Sequence, residues 1–380
     1  MKPSVSIWTT SQLAYDQRIR RIISTIESIG GTVAVWDRKT AAYPEGKIEP
    51  RWNHGPGMYL DYNRRIAGLV NQHKTDLIYA ADIDVMPGLM WGLRGGDGTP
   101  LLLDLHEWYP EVIELEKKPL KRALWRWVER RSVAFATAHM TVNQSLKRIF
   151  EAQYGPSFTV VRNVPELLPS VEVSPEKRLD DKILYYQGAL NEGRGLETAV
   201  ESLRYLPGWR LWLVGDGEVV DQIKRKVEVE AKVKVKGEGE GGGADKEGLE
   251  DRVVFFGRKS PVELRELAGQ ATVGLNLLSG SSKSYYYSLA NRYFDYIHAG
   301  LPAIHMDFPE YQSLMKENRV GELVTSLSPK VLADAIRKMT GDNMLYNRMI
   351  EQCRSARETY NWQEESKALV EVLEGVSVIG

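Results

Sequence analysis

Several residue groups have types and spacings suited to chemistry, and each follows an apolar run. His106 and Glu107 come after Leu101-Leu102-Leu103-Asp104-Leu105 and precede Trp108, Tyr109 and Pro110. An imidazole at a strand end can hydrogen-bond a sugar hydroxyl or meet a developing charge. A histidine satisfied by packing among its aromatic neighbours reads equally well. Gly188-Ala189-Leu190-Asn191-Glu192-Gly193-Arg194-Gly195 forms a second group. Its glycines admit a ligand to the backbone, and a helix opening behind it presents unpaired N–H groups to an anion. The Arg194 guanidinium adds a fork of donors for phosphate. A plain strand-to-helix turn competes with that reading.

The third group runs from Ser288 through Asn291, Arg292 and Asp295 to Gly300 and Pro302. Ser288 suits an N-cap and Gly300 the position just past a helix. Asn291 and Asp295 then share a helical face. A carboxylate near a helix start can take two ribose hydroxyls; a solvated carboxylate is the alternative. Gly215-Asp216-Gly217 is a glycine turn that backbone demands alone explain. Asp82-Ile83-Asp84 has the spacing of a divalent metal site, but an acidic strand end is the preferred reading.

The elements that must position these groups alternate in type. Short apolar runs at 5–8, 32–36, 77–80, 101–105, 136–142 and 159–162 read as strands with helical patterns between them. The helix at 17–29 ends on Gly30-Gly31. Residues 163–177 carry three prolines and read as a linker. Further strand runs follow at 183–187, 210–214, 253–256, 273–277 and 303–305. Alternation of this kind makes parallel βαβ units. The expected domains are 1–163 and 164–361, with a helix at about 362–380 that returns to the first. Residues 225–251 alternate Val, Lys and Glu and then run into glycine, which points to a flexible insertion.

Composition excludes several classes. Lys plus Arg is 50 and Asp plus Glu is 51, so no global charge draws nucleic acid. A single cysteine, Cys353, excludes a disulfide framework and a cysteine-built zinc site. No leader-like segment and no bilayer-length apolar run is present, so a cytoplasmic protein is expected. Residues 117–131 combine seven cations with two tryptophans and one glutamate. Leu120, Leu124 and Trp127 fall at helical spacing there. That stripe is expected to pack on the first domain's sheet; a peripheral position on an anionic membrane face, suited to a lipid-linked acceptor, is the alternative.

In their order these motifs resemble the retaining glycosyltransferases of family 4. The resemblance covers most of the chain, is densest over 183–302, and is most specific at Asn291-Arg292-Tyr293-Phe294-Asp295-Tyr296-Ile297-His298-Ala299-Gly300-Leu301-Pro302. Tyr285-Tyr286-Tyr287-Ser288-Leu289-Ala290-Asn291 is similar to a branch common in bacterial surface-polysaccharide clusters. The resemblance implies an α/β GT-B fold, two Rossmann-like doubly wound domains facing a central cleft. It implies transfer of a sugar from a nucleotide-sugar donor to a saccharide or lipid-linked saccharide, with retention and without metal or cofactor.

The resemblance also assigns residues. His106, with Glu107 beside it, falls near the active-site histidine. Gly188, Ser288 and Asn291 belong to the donor motifs. Arg194 stands where a lysine binds the donor diphosphate, and Asp295 where a glutamate binds ribose. The pattern's other glutamate falls at Tyr287 and its arginine at Ala189, so both are missing; Arg292 or Lys283 is the expected replacement for the lost charge. Three other functions compete: an epimerase on the same fold, with Glu107 and Glu111 as its only acid–base candidates; a metal-dependent GT-A enzyme; and a non-catalytic nucleotide-binding partner.

Overall fold

The computed structural model of the chain describes residues 3–38, 46–96, 98–169, 174–237 and 248–379. It divides into two compact units, Met1–Asn163 with Ser282–Ser284 and Trp362–Gly380, and Val164–Ser281 with Tyr285–Asn361.

The first unit alternates β1 (Ser4–Trp8), α1 (Gln17–Ser28), β2 (Thr32–Trp36), α2 (Gly55–Leu69), β3 (Leu77–Ala81), α3 (Met86–Gly92), β4 (Leu101–Leu105), α4 (Pro119–Phe135), β5 (Ala138–Thr141), α5 (Gln144–Tyr154) and β6 (Thr159–Val160). Its six strands lie in the order β2-β1-β3-β4-β5-β6, and every pair is parallel. β3 and β4 are buried along their whole length. A strand covered on both faces needs such a near-continuous apolar run, which is why these two read so clearly.

The second unit continues with α6 (Pro175–Asp181), β7 (Ile183–Gln187), α7 (Leu196–Ser202), β8 (Arg210–Val214), α8 (Val220–Gly237), α9 (Leu249–Arg252), β9 (Val253–Gly257), α10 (Pro261–Gln270), β10 (Val273–Asn276), α11 (Lys283–Tyr286, whose first two residues fall in the first unit), α12 (Arg292–His298), β11 (Ala303–Met306), α13 (Pro309–Glu317), β12 (Gly321–Val324), α14 (Pro329–Thr340) and α15 (Asn343–Thr359). Its parallel strands run β12-β11-β10-β7-β8-β9. Both sheets change direction of winding beside a strand that opens a unit, the topology that leaves room for ligands beyond the strand ends. α16 (Trp362–Ile379) belongs to the first unit. Trp362 Nε1 donates to Thr25 Oγ1 at 2.9 Å, and Glu365 pairs with Arg162 at 2.7 Å.

Three features differ from the sequence expectations. β12 was not foreseen, because Gly-Glu-Leu-Val has little apolar run; it is an edge strand in which a Cβ at Gly321 would come within 1.8 Å of the Ala303 carbonyl oxygen. In the segment expected to form a flexible insertion, α8 continues to Gly237 and α9 begins at Leu249. Ile223 and Val227, one turn apart, and Leu249 are buried, so apolar side chains extend the helix into that stretch. Residues 238–247 of the segment lie outside those described. The Leu120, Leu124 and Trp127 stripe does not pack on the sheet: these side chains are 86%, 57% and 56% exposed. The inward face of α4 is Val128, Glu129, Ser132 and Val133 instead.

Candidate active site

In the first unit the ends of β3 and β4 bring three acidic side chains around His106. Asp104 is the one charged residue in the strand Leu-Leu-Leu-Asp-Leu and is fully buried. Burial alone would neutralise it. Arg18, on the inward face of α1, prevents that with two donors, Nε to Oδ2 at 2.8 Å and Nη2 to Oδ1 at 2.9 Å. Arg18 Nη1 also donates to the Val161 carbonyl at 2.8 Å, and Tyr79 donates its hydroxyl to Asp104. Against the cost of burial, Arg18 and His106 hold the Asp104 carboxyl far below the usual range.

His106 sits just past β4 with Nε2 at 2.9 Å from Asp104 Oδ2 and Nδ1 at 3.0 Å from Asp82 Oδ2. Burial disfavours the charged ring, but Asp82 and Asp104 outweigh it and push its pKa well above the usual value. Asp82 reaches the ring because its backbone is left-handed, φ 66°, a conformation aspartate tolerates better than most residues. Its Oδ1 accepts the His106 backbone N–H at 3.0 Å. With both ring nitrogens engaged, a sugar hydroxyl reaches the ring only by displacing a carboxylate. Asp104 is anchored by Arg18 and Tyr79, so Asp82, 22% exposed, is the partner that can yield.

Asp84 is buried behind this pair. It accepts from the Thr10 hydroxyl, while its Oδ1 has no partner among the described residues. Burial first and Asp82 second raise its pKa to about 7. Asp82 and Asp84 are thus more than the acidic strand end the sequence suggested. Among the described residues, no group of three or more His, Cys, Asp or Glu stands ready to hold a metal ion. Glu107 is half-buried beside His106. Glu111 is buried and paired with Arg122 and, at 3.0 Å, with Arg126.

The second unit assembles its site at the end of β7. Gly188 directly follows that strand with φ 125°, and its N–H donates to the Val214 carbonyl at 3.0 Å. The turn at Gly215 crosses so closely that a Cβ there would lie 1.9 Å from Gly188 O. The 188–193 and 215–217 turns are further laced by Leu190 N–H to Asp216 O at 3.0 Å. This close backbone crossing is what the two glycine motifs are for. Arg194 lies with its guanidinium 4.8 Å from the Tyr285 ring centroid, and its Nε is buried without a partner.

Arg292 opens α12 and is buried, its guanidinium 4.4 Å from the centroid of Tyr186. Nη2 lies 3.6 Å from where a Gly188 Cβ would stand, and Nη1 is buried without a hydrogen-bond partner. Burial opposes its charge, but Tyr186 and other tyrosines more than offset this. Asp295, in the first turn of α12, accepts from Gln187 Nε2 at 2.7 Å. The structure therefore brings Gly188, Arg292 and Asp295 to one strand end. Asn291 caps α12 and is exposed, and its carbonyl accepts from Phe294 and Asp295 N–H at 3.0 and 3.1 Å. Ser288 is not the N-cap expected: α12 starts at Arg292, and the Ser288 hydroxyl donates to the Tyr285 carbonyl at 2.8 Å. The serine closes its own local turn instead. Lys283 falls in the first unit, its Nζ 5.9 Å from the Trp108 ring centroid, while within the second unit the charge beside Gly188 is that of Arg292.

Sequence reasoning missed Asp82 and Asp104 as partners of His106, Arg18 and Tyr79 as partners of Asp104, and Tyr186, Gln187 and Tyr285 as partners of Arg292, Asp295 and Arg194. A usable signal existed for two of them. Asp104 interrupts an otherwise apolar strand, and Gln187 ends one.

Two family profiles divide the chain between them: the glycosyl transferase 4-like domain matches residues 31–165, and the glycosyl transferases group 1 profile matches residues 171–356. The chain belongs to the group 1 glycosyltransferases. No curated protein matches it in sequence. This group 1 enzyme shares its GT-B fold with solved structures of low identity. Sucrose-phosphate synthase from Thermosynechococcus elongatus is 16% identical, with a TM-score of 0.78 and all of both chains covered. Anabaena HepE in complex with UDP-glucose is 15% identical, with a TM-score of 0.72, 98% of this chain and 100% of that one covered. WaaG, a glycosyltransferase involved in lipopolysaccharide biosynthesis, is 18% identical, with a TM-score of 0.66, 97% and 99% covered. The fold rules out the GT-A alternative.

Proposed function

We propose that this glycosyltransferase binds a nucleoside diphosphate sugar at the end of β7 and transfers the hexose, with retention, to a saccharide or lipid-linked saccharide on the cytoplasmic side of the membrane. The observation that carries this reading is Arg292. It is a buried cation with an unpartnered donor, held over a glycine where no side chain obstructs the backbone. A buried guanidinium N–H left without an acceptor is costly, and a diphosphate oxygen supplies the acceptor that Nη1 lacks. Arg194 adds a second cation, its Nε likewise unpartnered. Asp295, steadied by Gln187, offers its carboxylate to ribose hydroxyls.

With two guanidiniums taking the leaving-group charge, the reaction needs no metal ion. His106 is the candidate to contact the transferred sugar from Nδ1, and Glu107 lies next to it. Front-face attack requires no enzyme nucleophile. The UDP and UDP-glucose named in the HepE complexes make uridine diphosphate sugars the first donors to try. Pairing of Glu111 with Arg122 and Arg126 removes one of the two acid–base candidates for an epimerase.

The experiment is a thermal-shift screen of nucleoside diphosphates and their sugars, followed by turnover of the best donor with and without EDTA. Ligand binding to the folded state raises its melting temperature by mass action. Expected are stabilisation by one nucleoside diphosphate and turnover indifferent to EDTA. Stabilisation by none of them would remove the donor site, and activity abolished by EDTA and restored by manganese would remove the metal-free mechanism.

A further inference from the structure

α4 carries apolar side chains on both sides: inward, Trp125 lies 4.6 Å from the Tyr109 ring and 5.6 Å from that of Tyr59. Its inward face is half polar: Val128 and Val133 are accompanied by Glu129 and Ser132, all four buried. Tyr154 donates its hydroxyl to Glu129, and Ser132 donates to the Val128 carbonyl at 2.8 Å. The outward face nevertheless carries large apolar side chains as well. Leu120, Leu124 and Trp127 follow one another at spacings of four and three residues, and Phe135 extends the row at the far end of the helix. An apolar stripe exposed over the length of a helix is different from the scattered exposed leucines that every surface carries.

The cations on the same helix divide in two. Arg122 and Arg126 turn to Glu111 and are spent there. Lys117, Lys118, Lys121, Arg130 and Arg131 are exposed. Lys117, Lys118 and Lys121 surround Leu120 at the start of the helix, and Arg131 lies with its guanidinium 5.9 Å from the Trp127 ring centroid, on the stripe itself. The pattern is therefore an apolar row that includes a tryptophan, with lysines and Arg130 around it and Arg131 within it. Leucine enters an acyl layer, the indole prefers its boundary, and lysine and arginine stems reach from the apolar layer to anionic headgroups. Among the described residues no helix is long and apolar enough to cross a membrane, so such a contact lies along the surface.

We infer that the outer face of α4 docks this protein on an anionic lipid bilayer, with Leu120, Leu124 and Trp127 entering the interface and Lys117, Lys118, Lys121, Arg130 and Arg131 meeting the headgroups. The charge complementarity selects an anionic lipid surface over a neutral one or a purely apolar protein partner. The inference stands on α4 alone and is independent of which sugar the enzyme transfers.

Co-sedimentation of the full chain with vesicles of phosphatidylcholine, with and without phosphatidylglycerol, tests it. Binding is expected only with phosphatidylglycerol, falling with added salt, and weakening roughly fivefold for each basic residue removed from the surface. The triple variant Leu120→Glu, Leu124→Glu, Trp127→Glu is expected to lose binding at least tenfold. Its melting temperature and nucleoside diphosphate binding should not change, since these side chains already face solvent. The variant Lys117→Glu, Lys118→Glu, Lys121→Glu provides the same test without touching the stripe. No sedimentation of the unaltered protein at low salt overturns the inference, as does full binding by both variants. A dimer that the apolar triple converts to monomer, without vesicle binding, would reassign the face to self-association.

Discussion

The Asp82 carboxylate holds His106 at two points, Oδ1 on the backbone N–H and Oδ2 on Nδ1, each at 3.0 Å. The left-handed backbone of Asp82, φ 66°, folds the end of β3 back toward the end of β4 and makes this possible. The ring is clamped between Asp82 and Asp104, and both carboxylates favour its charged form against the cost of burial. Removing one clamp should release it in a measurable way. In Asp82→Asn, which keeps the shape and the tolerance of positive φ, the His106 pKa should fall, because one of the two carboxylates that favour its charged form is gone. Titration of its imidazole proton resonances reads this directly. An unchanged midpoint would mean that Asp104 alone sets the charge.

Asp84 predicts a pH dependence of stability. Its folded pKa is about 7, against a reference value of 3.8. Between those values the folded state binds more protons than the unfolded state, so stability falls as pH rises through the window. His106 acts in the same direction above 6.5, because its folded pKa is also raised. Asp84→Asn should retain the Thr10 hydrogen bond and remove the carboxyl's share of the fall. Melting temperature measured from pH 4 to 8 should therefore decline less steeply in the variant, with its largest gain at pH 8. Two parallel curves would show that Asp84 is ionised in the folded state.

Arg292 and Arg194 make separable predictions for the donor. Each replaced by alanine should weaken nucleoside diphosphate binding by about 1.5–3 kcal/mol, the range for a hydrogen bond to a charged group. Arg292→Lys should recover little, because lysine cannot lie flat over Tyr186 and present a second donor. Calorimetry on the folded variants checks this. Affinity left intact in Arg292→Ala would move the diphosphate away from Gly188.

Asp295 should discriminate ribose from its dideoxy analogue. The unaltered protein is expected to prefer the ribonucleotide by about tenfold or more, and Asp295→Ala to bind both alike. Gln187→Leu tests whether Asp295 needs its partner: the preference should shrink without the affinity for diphosphate alone changing. A variant at Asp295 that keeps the full preference would place the ribose elsewhere.

The sequence by itself determined the two-sheet architecture, because parallel strands buried on both faces must be apolar along their length. Leu101–Leu105 and Ile183–Gln187 carry that pattern openly. It also determined where backbone must approach backbone, since only glycine meets the crossing of Gly188 and Gly215. The edge strand Gly321–Val324 escaped because its burial is partial and its pairing with β11 depends on neighbours distant in sequence. The tertiary structure decided the partnerships. Arg18 and Asp104 are 86 residues apart and Gln187 and Asp295 are 108 apart, separations at which no local pattern links two side chains. It also decided which way α4 faces. Helical spacing groups Leu120, Leu124 and Trp127 on one side, but only packing shows that the buried side is the one with Glu129 and Ser132. Periodicity specifies that a helix has two faces; the surface it packs against determines which one is hidden.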